Sequence, residues 1–486
     1  MFLFHVLLLI LIPIIGAYFI YVFRKNENQR EGASFVTAFC LFGLVLHLFN
    51  ANAVTGEVVH ALRLFPGVSI SFFYDHLSVI FAFVASSLWI VTTMYSIGYM
   101  RGAKEANQTR FYICFALALS ATMGVAFSAN LFTLYIFYEL LSISTYALVG
   151  HHQNADARFG ARKYLIYLFG GSIGLVLPAM IIIYQITGTL DFNYSGILPD
   201  YFSTNMLLAL LLMFLYGFGK AGLMPFHAWL PGAMVAPTPV SSLLHAVAVV
   251  KVGVFSIVRV ITGIFGYDLM NALSFNQTVC YIAAFTVITA SLIALYQDNL
   301  KRLLAFSTIG QLAYIIMGVG LGSALGFTGG ILHIVMHAFG KITLFFCAGA
   351  IYVATKKKYI SQMNGIGKRM PWTMTAFFIG ALSVTGLPPT GGFISKWLML
   401  QGTLDANLIF ILGIYLVSSF LNACYFFPII YRAFFKDPSS EDAVDGIKEA
   451  PIYCVIPPVV TAICSILLFF NYHYFTTMIL GAKGIL

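Results

Sequence analysis

Long apolar runs dominate this sequence. Leu3 to Phe23, Leu77 to Gly98 and Tyr164 to Thr187 carry almost no charge, and each has the roughly 20 residues an α-helix needs to cross a hydrocarbon core about 30 Å thick. Lipid offers no partners to free backbone groups, so only helices and closed barrels span it. Barrel strands read as short alternating segments, and these runs are continuous. The pattern extends over the chain: 60% of the 486 residues are hydrophobic and 9% are charged, against about 25% charged in soluble domains. The expected fold is an all-α polytopic membrane protein with about fourteen helices. Among the expected spans are 34–52, 162–187, 204–222, 238–265 and 372–402.

The cations between the runs alternate. Arg24, Lys25 and Arg30, then Arg101, Lys104 and Arg110, then Arg158, Arg162 and Lys163, then Lys301 and Arg302 occupy every second loop. They are joined later by Lys356, Lys357, Lys358, Lys368, Arg369, Arg432, Lys436 and Lys448. The opposite loops hold little beyond Arg63 and Lys483. The positive-inside rule then places both termini on the outer side and calls for an even number of crossings. The first run has cations after it rather than before, so it is expected to be a retained helix and not a signal peptide. This distribution also explains the net charge of +9 without nucleic acid as a partner. Seven cysteines lie isolated, without paired spacing, and read as packing residues. The stretch Asp437 to Glu449 reads as a mixed-charge inner loop.

Removing the loop cations leaves Glu139, Lys220, Lys251, Lys341 and Lys396 inside apolar runs. Each costs several kcal/mol unless it faces protein or water, which makes it a functional candidate. A single such lysine could be a snorkelling side chain; five charges in separate helices are not explained that way. Two runs are also interrupted beside a lysine. One reads Gly222-Leu223-Met224-Pro225 after Lys220, and the other reads Gly386-Leu387-Pro388-Pro389 before Lys396. Proline removes a helical hydrogen bond, so both helices should break at membrane depth. Matching breaks in two halves point to inverted repeats with an ion site at each discontinuity. Asn130-Leu131 and Asn299-Leu300 recur at nearly the same offset. The expected organisation is an N-terminal group of helices over residues 1–109, five-helix repeats at 110–265 and 275–434, and a final segment 435–486.

Histidines supply groups that titrate near neutrality. His245 precedes Lys251, and His333, His337 and Lys341 recur every four residues, on one helix face. His333 and His337 have a zinc-compatible spacing, but no glutamate follows His333 and a lysine lies one turn on, so no metal is expected. No CxxC set or GxGxxG loop is present, so no cofactor is expected. Burial disfavours a charged lysine and a nearby carboxylate favours it, so Glu139 with Lys220 would form a tunable proton holder. The expected line for protons runs through Lys220, His245, Lys251, His333, His337, Lys341 and Lys396, with breaks at Pro225, Pro388 and Pro389.

These stretches resemble the antiporter-like subunit family shared by respiratory complex I, membrane-bound hydrogenases and Mrp-type sodium/proton antiporters. The resemblance rests on Phe137 to Leu140, Lys220 to Pro231, His245 to Gly253, Asp298 to Ser307, His333 to Lys341 and Leu387 to Lys396. It implies about fourteen helices, two inverted repeats, a Glu139 and Lys220 pair, a middle lysine at Lys251 and a terminal one at Lys396. It also implies other membrane subunits as partners in a prokaryotic plasma membrane, with protons, and Na+ in an antiporter, as the transported ions. Lys396, where the M-type branch usually has glutamate, and the absence of the long C-terminal extension of the L- and A-types favour an Mrp D-type subunit. A complex I or hydrogenase membrane subunit is the alternative.

Overall fold

The computed structural model describes residues 2–50, 58–199, 201–437 and 448–481. Lys483 and most of the Asp437 to Glu449 loop therefore lie outside the described residues. Among the described residues, twelve helices are long and apolar enough to cross a membrane. The expected spans missing from that set are the two interrupted runs. They appear as Thr204–Gly217, followed by a 3-10 turn at Gly219–Ala221, and as the pair Pro371–Thr385 and Gly391–Asp405. The chain is thus an all-α polytopic membrane protein.

Helix starts follow capping chemistry. Asp75, Asn130, Asn154, Ser203, Asn299 and Ser323 each accept a backbone N–H of the helix they precede. Each such cap contributes about 1 kcal/mol, and in lipid an uncapped N–H has no water to turn to. Several boundaries differ from expectation. The second helix begins at Glu27, because Arg30 and Glu31 are buried and held by Gln108 at 2.7 Å and Arg101 at 2.5 Å. The sixth begins at Ala155 on its Asn154 cap and runs to Thr187 through a π-turn at Ser172–Val176.

One element was not expected at all. Val59–Phe65 and Val68–Phe72 pair as an antiparallel hairpin. Its turn is Pro66-Gly67, with Gly67 at φ +73 and its α-carbon packed so closely that a Cβ would meet the Gly188 carbonyl oxygen at 1.9 Å. Only glycine fits both constraints.

Two helix starts share a second feature. Asn130 forms a β-bridge with Asp191, in the loop after the sixth helix, and Asn299 forms one with Tyr359, in the loop after Ala324–Thr355. The backbone N–H groups of Leu131 and Leu300 pair alongside, to Leu190 and Lys358. The Asn130 start lies against the hairpin, through Ser69 and Ser71. The Asn299 start lines a cavity of about 530 Å³ on the cation-rich face, with Glu105, His152, Lys301 and Lys358.

The central stretches of Thr238–Phe265, Leu300–Gly320 and Ala324–Thr355 are wholly buried over 18 residues, whereas those of the first two spans and the last are about two-thirds open. Over those stretches the three helices have no lipid face, and polar side chains there are reached only from within the protein.

Candidate functional site

At the first break, the chain leaves the helix after Gly217, turns through Lys220 and reverses at Gly222, whose φ is +70. The Met224–Pro225 peptide is cis. The freed backbone groups find side-chain partners: Lys220 N–H donates to Tyr138 Oη at 3.1 Å, Trp229 Nε1 to the Gly219 carbonyl at 2.9 Å and Met224 N–H to Thr286 Oγ1 at 3.2 Å. Irregular backbone survives at membrane depth only when satisfied in this way. Lys220 is fully buried. Its ammonium donates to the Tyr138 carbonyl at 2.8 Å and to Ser142 Oγ at 2.6 Å, and sits 3.1 Å from the centre of the Tyr138 ring. It does not hydrogen-bond Glu139. Both carboxylate oxygens of that residue are enclosed without a hydrogen-bond partner among the described residues.

The second break places Lys396 differently. Gly386 (φ +87) ends the Pro371–Thr385 helix, the Pro388–Pro389 peptide is cis, and the chain re-enters a helix at Gly391. Lys396 Nζ donates to the carbonyls of Val384 and Thr385 at 2.9 and 3.0 Å and to Ser419 Oγ at 3.2 Å. A cation from one half of the interrupted span thus caps the negative C-terminal end of the other, satisfying carbonyls that helix geometry leaves free.

Between the breaks lies a chain of direct contacts. Lys251 Nζ is 2.7 Å from His337 Nδ1. The His337 ring stacks on that of His333, with centroids 5.8 Å apart and planes 18° from parallel. His333 then contacts Ser395 Oγ through Nδ1 at 2.8 Å and Gln311 Oε1 through Nε2 at 3.0 Å. The Tyr314 ring stacks on His333 and lies under the Lys396 ammonium, 4.6 Å from it. Lys251, His337, His333 and Lys396 are therefore brought together.

Two expected members stand apart. Lys341 follows the histidines by one turn, but its ammonium turns to Ser307 at 2.8 Å, where Tyr425 also donates at 3.0 Å. His245 sits in a π-turn at Leu243–Val247, its ring 4.9 Å from that of Phe345, with neither ring nitrogen hydrogen-bonded among the described residues. π-turns of this kind often mark functional positions. Both nitrogens of His333 are engaged, and no group of three or more His, Cys, Asp or Glu placed to hold a metal ion occurs among the described residues.

Sequence reasoning missed the hydroxyl and amide partners Ser142, Ser307, Gln311 and Ser395, which no spacing announces. It also missed a buried ion pair, although Arg259 stands in an apolar span like the lysines. Arg259 grips Asp75 through both terminal nitrogens, at 2.6 and 2.7 Å.

Gly253 is a third omission. A Cβ there would meet Ala221 N at 2.3 Å and the Lys220 backbone carbon at 2.5 Å, so a side chain would push the Lys251 helix off the first break. Gly253→Ala should cost about 1–3 kcal/mol through overpacking. It should also displace Lys220, read as a lower melting temperature of the isolated protein and reduced ion transport in vesicles.

Residues 128–422 match the family described as NADH:quinone oxidoreductase/Mrp antiporter, TM, and residues 66–112 match the one described as NADH-Ubiquinone oxidoreductase (complex I), chain 5 N-terminus. The chain is 34% identical to NADH-quinone oxidoreductase subunit N of Desulforudis audaxviator, over 71% of its own length and 69% of that protein. It is 31% identical to the A-type subunit of the Na(+)/H(+) antiporter of Alkalihalophilus pseudofirmus, over 93% and 58%. To NAD(P)H-quinone oxidoreductase chain 5 of a Synechocystis strain it is 32% identical, over 79% and 57%. The chain thus spans little more than half the length of the last two relatives. In fold it is similar to a chain of the membrane-bound sulfane sulfur reductase, an archaeal respiratory complex, with a TM-score of 0.86 at 24% identity over 99% of this chain and 97% of that one. It is also similar to a chain of the Mrp complex from a Dietzia species, with a TM-score of 0.84 at 21% identity over 98% and 97%.

Proposed function

Since this chain belongs to the NADH:quinone oxidoreductase/Mrp antiporter membrane family, we propose that it is a proton-translocating subunit of a multisubunit membrane complex and not itself an enzyme. Protons move along the buried Lys and His axis, entering beside Glu139 and Lys220, passing Lys251, His337 and His333, and leaving near Lys396. The observation that carries this reading is the contact chain from Lys251 through His337 and His333 to Ser395, which sits next to Lys396. Groups that both bind and release protons, held in series away from lipid, are what a relay needs, and they are expensive to keep for any other purpose. Lys341 with Ser307 and Tyr425, and His245 in its π-turn, are side stations on the same axis.

Several parallels support two inverted repeats at 110–265 and 275–434. The Asn130 and Asn299 caps and bridges match, and each repeat has a broken helix with a lysine. The two capped starts lie on opposite faces of the molecule, which is the relation an inversion produces. The cation-rich face is the cytoplasmic one by the positive-inside rule, which puts both termini outside a prokaryotic plasma membrane. Within the family we assign the chain to the Mrp D-type branch, lysine rather than glutamate at position 396 setting it apart from the M-type, with Na+ as the counter-ion of the assembly. A complex I or hydrogenase subunit is the other reading. Small membrane partners co-purifying with the chain would support the antiporter, and iron-sulfur or nickel-iron chains would overturn it.

The axis is tested by Lys251→Ala and His337→Gln in the assembled complex, reconstituted in vesicles with a pH-sensitive dye. Both are expected to lower proton movement at least about a hundredfold, the scale of a lost proton-transfer group, while assembly persists. Native rates in either variant would refute the relay.

A further inference from the structure

The helix segment that carries Lys251 is regular only from Val249 to Val260. A π-turn at Leu243–Val247 and the distorted Ala248 (φ −122, ψ −71) precede it, and a second π-turn at Ile261–Phe265 follows. Regular helix between two irregular turns is a rigid rod, and the flanking turns are where a change in its register can be absorbed. This rod touches the first break through Gly253 and the histidine helix through Lys251. What fixes its position along its own axis is therefore functionally relevant.

At its far end, Arg259 is the anchor. Its guanidinium donates to both oxygens of Asp75, to Ser78 Oγ at 2.9 Å and to Tyr194 Oη at 3.3 Å, and it lies between the Phe73 and Phe255 rings at 4.7 and 4.8 Å. Tyr194 Oη in turn donates to Asp75 Oδ2. Asp75 also accepts Ser78 N–H as the cap of the His76–Gly102 helix, so its own position is set by a separate element. Burial alone would push the Asp75 carboxyl up, but the Arg259 charge and the surrounding hydrogen bonds bring it down to about 2 from 3.8. The carboxylate is thus stabilised at any pH above the ordinary range and lost only as pH falls toward 2.

We infer that Asp75 and Arg259 are positioning residues, whose forked contact fixes the register of the Lys251 rod and so keeps Lys251 Nζ within hydrogen-bond reach of His337 Nδ1. A buried ion pair is a poor source of stability, since apolar residues of the same volume do as well or better. What a bidentate contact adds is geometry, because two parallel hydrogen bonds admit one orientation and a point charge admits many. Eight residues of helix separate Arg259 from Lys251, a rise of about 12 Å, so the pair acts through the rod and not by touching the proton path. The inference rests on the reading that the Lys251–His337 contact carries protons.

The test is Arg259→Lys in the whole complex, which keeps the charge and removes the fork. Proton movement in vesicles is expected to fall about tenfold, a modest share of what an ångström-scale misplacement can cost. A cryo-EM structure of the variant is expected to show Lys251 and His337 out of hydrogen-bond reach. Native transport overturns the inference, and so does impaired transport with that contact intact. Should Arg259→Lys fail to assemble, Tyr194→Phe, which removes one hydroxyl from the cluster, serves instead. It is expected to lengthen the same contact and to lower transport about two- to threefold, and an unchanged contact and rate overturn the inference. Normal transport in His337→Gln would instead sink the relay itself, so the two failures are distinguishable.

Discussion

Lys220→Met is expected to stop proton movement through the assembled complex, with a loss of at least about a hundredfold, while the protein still inserts and assembles. Methionine matches the length and apolar stem of lysine, so packing around the first break survives. The substitution removes the ammonium that bridges the Tyr138 carbonyl and Ser142 Oγ. Those two acceptors are not stranded by the change, because Ser142 Oγ donates to the Tyr138 carbonyl at 3.1 Å, so assembly tolerates it. Ser142→Ala gives the control, since it removes one hydrogen bond and leaves the charge; its transport should fall far less. Glu139→Ala is expected to resemble Lys220→Met if the enclosed carboxylate is where protons enter. Normal dye response in vesicles carrying Lys220→Met would remove the first break from the proton path.

Gly392→Ala at the second break is expected to be strongly damaging. In an ordinary helix interior this exchange is favourable by roughly 0.5–1 kcal/mol, since alanine loses less backbone entropy. Here a Cβ would stand 1.9 Å from the Ser383 carbonyl oxygen and 2.8 Å from its carbon, both backbone atoms that no rotamer change can move. Overpacking of about 1–3 kcal/mol outweighs the propensity gain and forces the two halves of the interrupted span apart. Because Lys396 in one half caps carbonyls in the other, that separation breaks its hydrogen bonds as well. A lower melting temperature and impaired transport are expected together. A variant as stable and active as the parent would show that the halves are not locked at this point.

The elements legible in the sequence are those that violate the hydrophobic pattern. Lys220, Lys251, Lys341 and Lys396 stand out because a charge in a lipid-length run needs a reason, and Pro225, Pro388 and Pro389 because a helix cannot continue normally through them. Arg259 obeys the same logic, in the same apolar run as Lys251, and was readable on that criterion. Asp75 was not, because it sits just outside the run as an apparently ordinary helix cap. The hairpin around Pro66-Gly67 carries a turn signal, but a sequence dominated by helix-length runs gives little weight to short alternating segments. Ser142, Gln311 and Ser395 are common residues whose importance comes from what stands across from them in space. The same holds for the Lys220 ammonium: the sequence puts Glu139 and Lys220 in one protein, but the rotamer that sends the ammonium to Ser142 is decided by packing around Tyr138.

The contacts of His333 make Ser395 a hydroxyl rotor. Gln311 Oε1 can only accept, so a neutral ring bonded to it through Nε2 has its lone pair at Nδ1, facing Ser395 Oγ, whose hydrogen has two acceptors in reach, Nδ1 and the Gly392 carbonyl. With hydrogens on both ring nitrogens, Nδ1 would instead donate to the same oxygen. The Ser395 hydrogen must then swing away, and the Gly392 carbonyl, 3.2 Å off, is in place to receive it. Gly392 and Ser395 both belong to the first turns of the half-helix bearing Lys396. The hydrogen bonding of an imidazole on one helix is thereby coupled to that of another, in the half-helix that carries Lys396.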